Sequence, residues 1–357
     1  MNKNILVLVF SALLISSCGG GGGGGGGGSN ASPITYSYDK ITSDFTNKTW
    51  EADSITRRLT VDQGTTPNTP TTGVITRSWD YFATYGTDPD GPIEIDFIES
   101  SGYLTINLSH KLDNFNITLS EIDRPIYDPS DNLIASKVQN NFTEGTLNAF
   151  FFLPDYLATL SIEHTAVGFL DFYLGGPDRD TFAINYGSRT NSGDMPRSGS
   201  ATFGIFSEAI YTQYRSPAHQ GESFIVRGEG NLNVNFSTNK IGGTISLDRW
   251  YNYLEFINYG ATYESQLLDS PVFTLNFPEA SISGNSFEYD FDNDFTLTSS
   301  GGWGLTGSGI AGGSFFGPDG KEISGTFLGK KSDDDMTNVF DWDIIGVFYG
   351  TCKPSGC

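Results

Sequence analysis

Apolar and polar residues alternate along most of this chain with a period of two. Ile93 to Phe97 reads apolar, charged, apolar, charged, apolar, and Tyr103 to Leu108 and Phe115 to Leu119 repeat the pattern. Side chains of a strand point to opposite faces in turn, so this alternation predicts antiparallel strands with one face buried and one wet. Asp88-Pro89-Asp90-Gly91-Pro92 and Asp128-Pro129-Ser130-Asp131 separate such segments. Proline fixes φ there and the aspartates bond their own backbone, which makes turns. Ala149 to Leu153 and Ala166 to Leu174 are more continuously apolar. The second suits a strand buried on both faces; for the first, strand and short helix both stand.

From Gly187 to Ser200 the chain turns polar and rich in Gly, Ser and Asn, a pattern that predicts a linker into a second domain. Beyond it the strand pattern sharpens, at 201–207, 222–228, 231–237, 243–247, 272–276, 286–291, 310–316, 323–329 and 339–349. So many strands with short turns predict a closed or nearly closed barrel, because closure removes exposed edges. Gly312, Gly313, Gly325 and Gly346 lie inside these strands, where glycine commonly marks a sharp bend.

The amino terminus adds a different signal. Lys3, an apolar run from Ile5 to Ile15 and the small residues Ser16 and Ser17 precede Cys18, which is followed by ten glycines, Gly19 to Gly28. A charged start, a short apolar stretch and small residues make a secretory signal, too short to span a bilayer. Ile-Ser-Ser-Cys is also similar to a bacterial lipoprotein signal, in which the cysteine is acylated and becomes the mature N-terminus. Glycine loses the most backbone entropy on ordering and buries nothing, so the run predicts a tether, with a coil reach of roughly 20 Å. The expected organisation is a signal at 1–17, a lipidated tether at 18–49, a β-rich domain at 50–186 and a barrel domain at 187–357.

The formal charge of −22 becomes −23 once residues 1–17 carry away Lys3, the one charged residue among them. That excludes nucleic acid and attraction to anionic lipid, both of which need a basic patch. Membrane association is then expected through the acyl chains alone. Cys352 and Cys357 close the chain, and export to an oxidising compartment with Pro354 and Gly356 between them predicts a small terminal disulfide. The expected metal sites are none, because no histidine or third cysteine lies near that pair.

One segment, Gly309-Ile-Ala-Gly-Gly-Ser-Phe-Phe-Gly-Pro-Asp-Gly-Lys-Glu-Ile-Ser-Gly-Thr-Phe327, resembles the hallmark of the transferrin-binding protein B-like β-barrel family. There a strand ends in Phe-Phe/Tyr-Gly-Pro, a short connection carries Glu, and a strand with Gly-x-Phe follows. Phe182 to Gly187, Thr190 and the run Asp194 to Phe203 are similar to the start of the barrel in single-lobed members, and Asn231 to Gly243 fits a strand pair of the family. The resemblance is good over Phe182–Lys331 and loose over Trp50–Leu174, which would be a variable handle domain. It implies an all-β fold, a β-rich handle followed by an eight-stranded antiparallel barrel. It also implies an outer-membrane lipoprotein at the cell surface that binds a protein or haem ligand, serves iron acquisition, uses a dedicated translocator, and is not an enzyme. Family members read their ligands with differing loops, so no binding residue carries over.

Candidate chemistry is sparse. His110, His164 and His219 are isolated in sequence, and no His-Glu-x-x-His, Gly-x-Ser-x-Gly or Walker pattern occurs. His219, with Tyr211 and Tyr214, is the weak haem candidate, since His and Tyr ligate haem iron. Asp290, Asp292 and Asp294 fit the first positions of a calcium loop, but Phe295 stands where that loop needs Gly and Gly301 where it needs Glu. Trp250-Tyr251-Asn252-Tyr253 and Trp303 suit either core packing or a sugar or protein platform. The other functional classes consistent with these residues are an adhesion or structural surface module and an enzyme acting on envelope glycans.

Overall fold

A computed structural model of the protein describes residues 37–41, 48–63, 75–84, 93–100, 103–110, 115–120, 124–127, 133–142, 145–152, 157, 160–173, 179–214, 222–252, 272–298, 304–330 and 341–353. Among these the alternating segments form eighteen strands. Ten build one antiparallel sheet: β1 (Lys48–Gln63), β2 (Ile75–Thr84), β3 (Ile93–Ser100), β4 (Tyr103–His110), β5 (Phe115–Ser120), β6 (Arg124–Tyr127), β7 (Leu133–Phe142), β8 (Gly145–Phe152), β9 (Thr165–Tyr173) and β10 (Arg179–Gly187). Their order is β5-β4-β3-β1-β10-β9-β8-β7-β6. The long β1 pairs with β10 along one edge and with β3 and then β2 along the other. The ambiguous run at Ala149 is therefore strand, and β9 is buried from Thr165 to Asp171, as a strand covered on both faces must be.

The other eight close into a barrel: β11 (Ser200–Tyr214), β12 (Glu222–Asn235), β13 (Lys240–Asn252), β14 (Val272–Ser283), β15 (Ser286–Thr298), β16 (Gly304–Phe316), β17 (Glu322–Lys330) and β18 (Asp341–Cys352). Each pairs with the next, and β11 pairs with β18 from Phe203↔Cys352 to Tyr214↔Asp341, which abolishes the edges. Segments read as two strands at 222–228 and 231–237 are one continuous β12. Inward positions alternate as expected: Phe203, Ile205, Ala209 and Tyr211 on β11, and Phe287, Tyr289 and Phe291 on β15, all join one apolar cluster.

The polar segment after Gly187 is not a free linker. Thr190 N–H donates to Phe315 O (2.8 Å), Thr190 Oγ1 donates to Gly317 O (2.7 Å), and Met195 is buried in the barrel core beside Gly320. Its polar residues satisfy backbone groups at the tight-turn end of the barrel, where an unpaired buried N–H or C=O is costly.

The sheet lies against the outer wall of β17 and β18, which contact β9 and β10, while β1 touches β17. Outward side chains on a free barrel wall meet water. Here Leu328, Ile345, Val347 and Tyr349 point outward and are nonetheless buried.

Candidate binding surfaces

Among the described residues the barrel interior is filled with side chains. Phe203 and Phe315 pack at 5.8 Å, Phe277 and Phe348 at 5.6 Å and Phe287 and Phe315 at 5.9 Å, mostly in the edge-to-face arrangement aromatic rings prefer. The strand glycines make this filling fit. Phe327 on β17 stands directly across from Gly346 on β18, and Phe348 on β18 across from Gly325 on β17. A Cβ at either glycine would run into the facing ring, and one at Gly313 would come within 2.9 Å of the ring of its partner Phe287. None of these three has a positive φ; what the structure shows them to give is space for rings.

At one end, tight turns join β12 to β13, β14 to β15 and β16 to β17. At the other, the connecting residues 215–221, 253–271, 299–303 and 331–340 lie outside the described residues. The core at that second end is an aromatic cluster: Tyr211 packs on Trp250 (5.1 Å) and Phe273 (4.9 Å), and Phe273 on Trp342 (5.7 Å). Trp342 keeps a buried indole N–H with no hydrogen-bond partner.

This is where the sequence candidates fall. Tyr211 lies on β11, not in a loop, and its ring is a core group, 4% exposed. Tyr214 is the last residue of the same strand, paired with Asp341. His219 lies outside the described residues, as do Cys18, Cys357, Trp303 and Tyr253. Trp250 and Tyr251 are both buried. Asp290, Asp292 and Asp294 sit along strand β15, which is too extended to wrap around an ion. Among the described residues no group of three or more His, Cys, Asp or Glu is arranged to hold a metal.

The polar groups that do converge lie between sheet and barrel. Glu322, at the start of β17, accepts backbone N–H bonds from Glu163 (2.9 Å), His164 (2.8 Å) and Thr165 (3.1 Å) at the start of β9. Burial pushes its carboxyl above the ordinary range, with those N–H groups and His164 pulling the other way. The His164 ring packs on Gly317, which has φ 70° and would meet that ring with any Cβ. Asp53 on β1, fully buried, accepts from Arg189 (2.7 Å) and from Ser314 Oγ (2.9 Å), and the hydroxyls of Thr165 and Ser324 share a hydrogen bond of 2.5 Å. A buried charge needs this degree of pairing to persist. On the barrel wall, Glu208 pairs with Arg227 (2.7 Å); burial raises its carboxyl and Arg227 opposes the rise.

A short strap runs across the same seam. Tyr38 OH donates to Asp194 (2.8 Å), Asp39 N–H to Ser188 Oγ (3.2 Å) and Ile41 N–H to Glu163 O (2.6 Å), while Lys40 pairs with Glu163. Asp39 O meets His164 Nδ1 at 2.9 Å. Sequence reasoning had Glu322 inside its motif without a role for it; Asp53 and His164 gave no signal, because their partners lie 261 and 158 residues away.

Residues 191–350 match the family described as the C-lobe and N-lobe beta barrels of Tf-binding protein B. The barrel is of the transferrin-binding protein B-like kind. The match takes in Met195, the Phe315-Phe316-Gly317-Pro318 corner and Glu322, and leaves the ten-stranded sheet outside it. Among solved structures, a double mutant of transferrin binding protein B from Haemophilus parasuis Hp5 is 14% identical, covering 74% of this chain and 54% of that one, with a TM-score of 0.37. The isotype 1 protein from serogroup B Neisseria meningitidis is 13% identical over 76% of this chain and 56% of that one (TM-score 0.35). A protein described as a surface lipoprotein is 12% identical over 73% and 97% (TM-score 0.30). The chain spans about half the length of the transferrin-binding protein B structures it matches. No curated protein matches it.

Proposed function

We propose that this protein is an outer-membrane lipoprotein, anchored through an acylated Cys18 and displayed at the cell surface, that captures a protein ligand with its outer surfaces. The packing of the barrel carries this reading: among the described residues its core is filled with aromatic rings, which favours recognition by the exterior. The barrel's family, whose named member binds transferrin, supports a protein partner over a substrate. A mature body of −23 stands off an anionic surface and needs its lipid to stay there. The terminal Cys352–Cys357 disulfide and a dedicated translocator belong to the same proposal. Haem enters it as a ligand carried on a protein, since Tyr211 is a packed core ring.

Protease treatment of intact cells tests it. The protein is expected to be cleaved from outside, and Cys18→Ala to release it from the membrane fraction. Full protection in intact cells, with cleavage only after lysis, would overturn surface display.

A further inference from the structure

We infer that the cleft between the strap and the barrel corner is a binding site for a neutral saccharide. Its volume is about 370 Å³, at the small end of the range for ligand sites. Ser37, Arg189, Asn191, Ser192 and Asn285 line it, together with the strap residue Tyr38. The strap brings the first of these to residues 150 positions later in the chain, so the cleft exists only in the folded molecule.

Much of the hydrogen-bonding capacity of this lining is unspent. Asn191 uses its Oδ1 to accept from Gly193 N–H (2.9 Å), leaving its amide N–H groups. Asn285 uses its Nδ2 on Thr190 O (2.5 Å), leaving its Oδ1. Arg189 gives one terminal nitrogen to Asp53. Ser37 and Ser192 add hydroxyls. A set of separate donors and acceptors around one cleft matches a ring of hydroxyl groups, each of which both donates and accepts.

Charge decides the class. The guanidinium of Arg189 is already neutralised by fully buried Asp53, and the nearby Asp194 carboxylate accepts from Tyr38 OH. Among the described residues no positive charge is left over for a phosphate or a carboxylate, and an anion would meet the Asp194 carboxylate. An apolar ligand would strand the amides. A neutral polyol leaves neither problem. The inference is independent of the protein-capture reading, since it uses other residues at the tight-turn end.

Saturation-transfer NMR on the full mature chain in detergent tests it, with glucose, galactose and N-acetylglucosamine as probes and inorganic phosphate as the anionic comparison. At least one neutral sugar should show saturable transfer. Ser192→Trp, an exposed position where the indole fills the cleft, should abolish it, and Asn191→Ala should weaken it at least threefold. Absence of transfer from all three sugars, transfer that persists in Ser192→Trp, or a preference for phosphate would overturn the site.

Discussion

Phe327 and Phe348 each lie over a glycine on the neighbouring strand, so the barrel interior is specified by ring–glycine pairs. Gly346→Ala should therefore cost about 1–3 kcal/mol as an overpacked core does. The double change with Phe327→Leu should recover a large part of that cost in a urea-unfolding cycle; strict additivity would contradict the pairing. Tyr289 makes the opposite prediction. Its hydroxyl is buried among Phe277, Phe287 and Phe291 without a partner, and burial pushes its pKa far up. Removing an unsatisfied hydroxyl while keeping the ring gains stability, so Tyr289→Phe should raise it by about 1 kcal/mol. A loss of that size would mean the hydroxyl has a partner after all. The alternation showed which of these residues face inward. It did not show why glycines interrupt the strands, because that depends on which residue stands across the ladder.

Among the elements, the β16–β17 corner does the most to join sheet and barrel. Gly317 clears the His164 ring, and Glu322 collects three N–H groups from the start of β9. Its carboxyl is raised from 4.5 by burial. A raised folded-state value means the folded protein binds more protons than the unfolded one in the window above 4.5. Stability from this group is then greatest at low pH and declines as pH rises through the folded value. Relative to Glu322→Gln, the wild type should gain stability as pH falls from 7 towards 5, read by urea unfolding at each pH; parallel profiles would contradict it. The corner was legible in sequence as a motif, and most of the strands as alternation. Its use as a joint was not, since His164 and Thr165 are distant in the chain and carry no local signature. For the same reason the polar run 187–200 read as a linker, although Thr190 is bonded to the barrel corner and Met195 is buried in its core.

For the whole molecule, sheet and barrel fall into one compact unit from Tyr36 to Cys357. With Leu328, Ile345 and Val347 buried on the wall that β9 and β10 cover, the two should unfold in a single thermal transition. Two separated transitions would make them independent domains. The class of fold and the eight-strand barrel were readable from pattern and motif, but the ten-stranded order of the sheet was not, because β1 sits between strands from both ends of its sequence. A barrel whose described interior is filled with rings favours its exterior for binding, and the proposed tether would hold that exterior at the cell surface. The direct test is capture by the lipidated protein on intact cells from host fluid, followed by cross-linking and mass spectrometry. The account predicts a protein partner cross-linked to this chain, retained by wild-type cells and lost with Cys18→Ala. Retention of free haem or another small molecule with no protein attached would contradict it.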